Sequence, residues 1–218
     1  MNREGKLKLK LFVEGYTEEN YFKNLRKNND VEITYKEINM EGGGYTSFLE
    51  EIRKSSDLGF LAVFVVIDLD KYICEPNQRK PFEELIMYCI RKNKNGRIPY
   101  FLVASNRDFE YFACSHCKNY KDSDTTAYIT RKFKYKSLED FKADEKIYDF
   151  LNSNSRSYKN AINKISSKKP YISNEYIIDN KKLDKLIKIK KTNICEDALC
   201  YLHSNLYEFF DIIGVEIA

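Results

Sequence analysis

The chain has 218 residues, enough for one large domain or for one domain with a smaller appendage. A hydrophobic share of 43% with 14% aromatics supports a real core and excludes an intrinsically disordered chain. With 37 basic against 33 acidic residues the net charge is only +4, too mild to mark a nucleic-acid binder from bulk charge, although a local basic patch is compatible with it.

The N-terminal stretch MNREGKLKLK is charged and lacks the apolar run of a signal peptide. Six cysteines without such a signal suggest reduced thiols in a cytoplasmic protein. LKLFVE (9–14) reads as a strand and TEENYFKNLRK (17–27) as a helix, followed by the alternating strand VEITYKEIN (31–39). After Gly42-Gly43-Gly44, which lacks the lysine and serine of a P-loop and reads as a flexible connection, YTSFLEEIRKSS (45–56) is helical. FLAVFVVID (60–68) is continuous and β-branched, the signature of a central parallel strand buried on both faces and far too short to span a membrane. PFEELIMYCIRK (81–92) places proline at a helix start, IPYFLVAS (98–105) is a fourth strand, and RDFEYFACSHCKN (107–119) a fourth helix.

Strands alternating with helices imply βαβ units. The expectation for 1–120 is therefore a four-stranded parallel sheet flanked by helices. Beyond 120 the strand signals fade, and helical patterns at 138–151, 157–166, 181–190 and 196–213 suggest a mainly helical extension (121–218) packed on that core. Lysines interleaved with apolar residues at 131–136 and 181–191 would suit a nucleic-acid backbone, but equally an ordinary solvated face.

Two strands end in acid. Glu14 closes the first, and Asp68-Leu69-Asp70 closes the third. Ligands of open α/β sheets bind beyond the carboxyl ends of the strands, so these acids would meet there if strands one and three are neighbours. Carboxylates brought together repel unless a cation sits among them, and hard oxygen donors suit Mg²⁺ or Mn²⁺, the ions of phosphodiester cleavage. The blander account of Asp-x-Asp is a solvated turn. Glu18 and Glu19 need no catalytic role, because Thr17 suits an N-cap and acids in the first helical turn offset the helix dipole. Tyr21 and Phe22 would anchor that helix to the sheet.

Glu14-Gly15 with Asp68-x-Asp70 resembles the Toprim domain of topoisomerases, primases and OLD-type nucleases. More narrowly, VEGYTEENYF, through Glu14, Gly15, Thr17, Glu18, Tyr21 and Phe22, is similar to the first motif of RloB-like proteins, and VVIDLDK to their second. The third motif is met by Ser105, Asn106, Phe109, Glu110 and His116, with Arg107 in place of a proline and Phe112 in place of a tryptophan. The similarity extends over about residues 8–120. It implies a bacterial Toprim nuclease of restriction and abortive-infection loci, often partnered by an AAA/ABC-type ATPase. It also implies Glu14 as general acid/base and Asp68 and Asp70 as ligands of Mg²⁺.

Around the third-motif helix, Phe109, Phe112, Ala113 and His116 share one face and Glu110 another, so Glu110 and His116 cannot project from one stripe. Glu110 is a candidate further carboxylate or a capping acid, and His116 a lesser catalytic candidate or a core histidine. Lys71, Asn106 and Arg107 are candidates for substrate phosphate, the last two by lying at a helix N-terminus. Cys114-x-x-Cys117 lacks the further ligands of a closed zinc site. The expected activity is metal-dependent cleavage of DNA or RNA in phage defence, with a catalytically silent regulatory subunit of an ATPase complex as the alternative. A homo-oligomer stays open.

Overall fold

In the computed structural model, which describes residues 8–28, 32–37, 44–179 and 186–214, alternating strands and helices build one mixed α/β fold. Strand β1 (Lys8–Val13) leads to helix α1 (Tyr16–Asn28) and then strand β2 (Glu32–Glu37). Helix α2 (Gly44–Lys54) and strand β3 (Ala62–Asp68) follow, then a short α3 (Asp70–Cys74), the long α4 (Pro76–Asn95) and strand β4 (Tyr100–Asn106). Helix α4 begins five residues before the expected start, because Pro76 takes the N-terminal position and Pro81 lies within the helix. Gly42 and Gly43 lie outside the described residues, whereas Gly44 opens α2 with φ +52°, and a Cβ there would come 2.0 Å from Gln78 Oε1.

The first four strands of the five-stranded main sheet lie in the order β2-β1-β3-β4, all parallel. Strands one and three are therefore neighbours, with Leu9 opposite Ala62 and Phe12 opposite Val65. The order reverses at this β1–β3 junction, the place where open α/β sheets form their ligand crevice. Alternate residues face opposite layers. Leu9, Leu11 and Val13 pack with Tyr21, Phe22 and Leu25 of α1, while Phe12, Val63, Val65 and Ile67 pack with Phe48, Leu49, Phe82 and Leu85 of α2 and α4. Phe64 and Phe101, paired across β3 and β4, stack at 4.8 Å.

The second half departs from the helical expectation. Helix α5 (Phe109–Ser115) is followed by α6 (Thr125–Tyr128), a π-helical turn (Ile129–Phe133), α7 (Leu138–Lys142), α8 (Ile147–Leu151) and α9 (Tyr158–Ser166). Then β5 (Ile172–Asp179) and β6 (Leu186–Ile194) form an antiparallel pair. The helix expected over 181–190 is thus overturned at 186–190, while 181–185 lie outside the described residues. Ile187 and Ile189 are buried and Leu186, Lys188 and Lys190 exposed, a period-two alternation of β-branched residues that outweighs the lysines' helix preference. The helix expected over 196–213 resolves into a 3₁₀ turn (Glu196–Cys200), a two-residue strand β7 (His203–Ser204) antiparallel to β4, and α10 (Tyr207–Ile212). One continuous apolar cluster joins residues on both sides of position 120, from Leu9 and Phe109 to Ile162 and Phe209. Among the described residues no helix is long and apolar enough to cross a membrane.

Candidate functional site

The site is built at the carboxyl ends of β1, β3 and β4. Glu14 stands in the bend after β1, Asp68 is the last residue of β3, and Asp108 and Glu110 follow β4. Aromatic packing fixes the two helices that leave these strands. Tyr21 of α1 lies 5.6 Å from both Phe109 and Phe112 of α5, ring to ring, and Phe22 packs on Phe209 at 5.0 Å. Tyr21 and Phe22 thereby anchor α1, and the carboxylates beside these anchors, Glu18 and Glu110, are held inward at 3% and 2% exposure.

Glu14 accepts the Asp68 backbone N–H at Oε2 (3.0 Å) and lies 3.8 Å from Lys71 Nζ through Oε1. Burial pushes its carboxyl up to about 7; the Asp68 N–H, Lys71 and Lys142 oppose that rise and Asp70 adds to it. Asp68 is pushed well above the usual carboxylate range, by burial first and then by Glu18, Glu14, Glu110 and Asp108. Its Oδ1 is buried with no hydrogen-bond partner, while its backbone carbonyl accepts the Tyr45 hydroxyl at 2.6 Å. Glu110 is raised to about 7 by burial and by Asp108, and its one ion-pair partner among the described residues is Lys142, 3.5 Å away. Asp70 is exposed and receives the Lys71 N–H at 2.6 Å.

Two acids of this group were unforeseen as site residues. Glu18 is raised well above its ordinary range by burial, then by Glu110 and Glu14. It is no surface acid of a first turn: α1 begins at Tyr16, Thr17 is buried within that turn, and a Cβ on Gly15 would lie 3.4 Å from Glu18 Oε2. In the sequence it carries only the signature of an ordinary first-turn acid. Asp108 caps α5 by accepting the Tyr111 N–H at 3.3 Å, and its carboxyl is raised mainly by burial.

Other candidates stand elsewhere. Asn106 spends both amide donors on the carbonyls of Leu199 (3.1 Å) and Tyr201 (2.7 Å). Arg107 is exposed and lines a cavity of about 350 Å³ with Asp108, Asp122 and Ser123. At the start of α5, where an anion was expected beside Asn106 and Arg107, the chain's own Asp108 carboxylate accepts a backbone N–H. His116 is wholly buried in the aromatic layer, away from the acids. Tyr21 O–H donates to its Nε2 and its Nδ1–H donates to the Phe112 carbonyl, both at 3.0 Å, and burial lowers its pKa to about 4. The six cysteines are free thiols; Cys114 is buried and Cys117 half-buried.

The donor set is all carboxylate, the chemistry that suits a hard divalent cation, and the unpartnered Asp68 oxygen is a group such an ion would satisfy. Among the described residues, however, no three Asp, Glu, His or Cys side chains are arranged to hold a metal ion as they stand.

A family model described as RloB-like protein matches residues 10–195. The chain belongs to the RloB-like family. The match continues well past residue 120, the limit of the motif similarity, so the segment carrying α7 and the β5–β6 hairpin is part of the RloB-like unit. No curated protein and no solved structure matches the chain.

Proposed function

We propose that this RloB-like protein is a metal-dependent nuclease of Toprim type, cleaving phosphodiester bonds of DNA or RNA as a cytoplasmic phage-defence effector. The observation that carries the proposal is the Glu14 carboxylate hydrogen-bonded to the Asp68 backbone at the sheet's switch point, beside an Asp68 side-chain oxygen that is buried and unpartnered. Asp68, Glu14 and Asp70 would hold Mg²⁺ or Mn²⁺. Such an ion supplies charge neutralisation of the phosphoryl oxygens and an acidified water. Glu14, raised to about 7 and hydrogen-bonded to the Asp68 backbone, has the proton affinity of a group that takes and returns a proton near neutral pH. Lys71, beside Glu14, would face the scissile phosphate.

Mn²⁺ titration by calorimetry, together with cleavage of DNA and tRNA by the wild-type, Glu14→Ala and Asp68→Ala proteins, tests this. Metal binding and cleavage that vanish in both variants are expected; undiminished cleavage in both ends the assignment. One observation favours the second reading, a catalytically silent subunit partnered by an AAA/ABC-type ATPase: among the described residues no three Asp, Glu, His or Cys side chains are arranged to hold a metal ion. That reading predicts no heat of Mn²⁺ binding and stable association with the ATPase.

A further inference from the structure

We infer that Lys142 is the contact through which the second half of the chain binds the substrate phosphate. The inference rests on the nuclease reading. Lys142 ends α7, and its Nζ lies 3.5 Å from Glu110 Oε1. The two partners differ sharply in exposure: the Lys142 side chain is 47% exposed and that of Glu110 only 3%. The lysine therefore stands at the rim, half in solvent, with its ammonium beside the Glu110 carboxylate.

Its place is fixed by packing. Ser137 caps α7 by accepting the Asp140 N–H at 3.0 Å, and the neighbouring Phe141 is wholly buried, with its ring 5.1 Å from that of Tyr135. Asn24 of α1 donates to the Glu145 carbonyl just beyond the helix (2.5 Å), tying this segment to the helix that carries Glu18. The carboxylates of Glu110, Asp68, Glu18 and Asp108 together raise the lysine's pKa, which keeps it charged.

An ammonium has three donors, and the ion pair with Glu110 engages one. A phosphodiester approaching bare carboxylates would be repelled. Once a divalent ion has offset their charge, the rim lysines are the groups left to receive an anion. Lys71 occupies the Glu14 side of the site and Lys142 the Glu110 side. Glu110 then acts as a positioning residue, holding the lysine over the site.

Calorimetry on the full chain, with Mn²⁺ and then with thymidine 3′,5′-bisphosphate added to the Mn²⁺-loaded protein, tests this without turnover. Lys142→Ala is expected to weaken bisphosphate binding by about 10-fold or more, the usual effect of losing a charge-assisted phosphate contact. Its Mn²⁺ affinity should be unchanged or tighter, and Lys142→Arg should restore bisphosphate binding to within a few-fold. Bisphosphate affinity that is unchanged in Lys142→Ala, with or without tighter Mn²⁺ binding, would reduce the lysine to an internal counter-ion and overturn the inference alone. A wild-type protein that binds no Mn²⁺ would overturn both the inference and the nuclease reading.

Discussion

Two buried acidic regions of this molecule look alike in burial and proton affinity and differ in what surrounds them. Glu208 of α10 is 1% exposed and its carboxyl is raised to about 7 by burial. Its Oε1 accepts the Asn174 backbone N–H (2.8 Å) and its Oε2 the Asn174 side-chain amide (2.7 Å), so it fastens β5 to α10. Glu14 and Glu110 are likewise raised to about 7, yet each has a neighbouring acid that adds to the rise, Asp70 for Glu14 and Asp108 for Glu110, and each has a lysine at its side, Lys71 and Lys142. Burial with a raised pKa is therefore no mark of a functional site by itself. Acids that confront acids, with an oxygen left unpartnered, are what separates the sheet-edge group from a satisfied structural carboxylate.

The largest expected effect breaks the comparison at the level of chemistry. On the nuclease reading proposed above, Glu14→Ala should lower the cleavage rate by about 10²–10⁴-fold, the usual contribution of a general acid/base. Glu208→Ala should leave the rate per folded molecule unchanged, although it removes an equally buried glutamate. Initial rates normalised to the folded fraction make the distinction, and a large loss of normalised rate in Glu208→Ala would break it.

In stability the ranking inverts. Glu208→Ala strips two buried donors of their acceptor, at a cost of about 3 kcal/mol, or roughly 6–12 °C in Tm for a domain of this size. Asp68→Asn should instead raise the Tm of the metal-free protein, because it removes a carboxylate that its neighbours destabilise. Thermal melts in EDTA read both signs, and a fall in Tm for Asp68→Asn would show that its carboxylate is better satisfied than the geometry indicates.

Part of this contrast is legible in the residues alone. Glu14 and Asp68 end their strands, the continuous β-branched run at 60–68 marks a central strand, and β1–β3 adjacency then brings the two acids together. Tyr21 and Phe22 read correctly as anchors. Glu18 was hidden because a first-turn acid already has an adequate local explanation, and only the packing of α1 on α5 turns it inward. Lys142 carries no local signal, since its meaning depends on a contact with Glu110, 32 positions earlier in the chain. The β6 strand was obscured by lysines whose helix preference hides the alternation of Ile187 and Ile189, and Glu208 gains its partners from β5, an element the helical reading of the second half did not contain. Local propensity recovered the elements of the first half; tertiary pairing decided the second.

The smallest effect is also the sharpest test of the comparison. Glu110 has a folded pKa of about 7 against an ordinary value of 4.5, so between those values the folded chain holds a proton that the unfolded chain has released. Stability of the metal-free protein must then fall as pH rises through this window, and Glu110 alone accounts for about 1 kcal/mol of loss between roughly pH 6.5 and 8. Glu110→Gln should remove that share of the slope in urea titrations at the two pH values. Glu208→Gln should remove a similar share, because its carboxyl is raised to the same degree. The two acids part when Mn²⁺ is present: a cation among the sheet-edge carboxylates favours their charged forms and flattens the slope owed to Glu110, while the slope owed to Glu208, whose partners are amides, stays as it was. A Glu110 slope that survives saturating Mn²⁺ would mean that no cation enters the group, and would place Glu110 beside Glu208 as a structural acid.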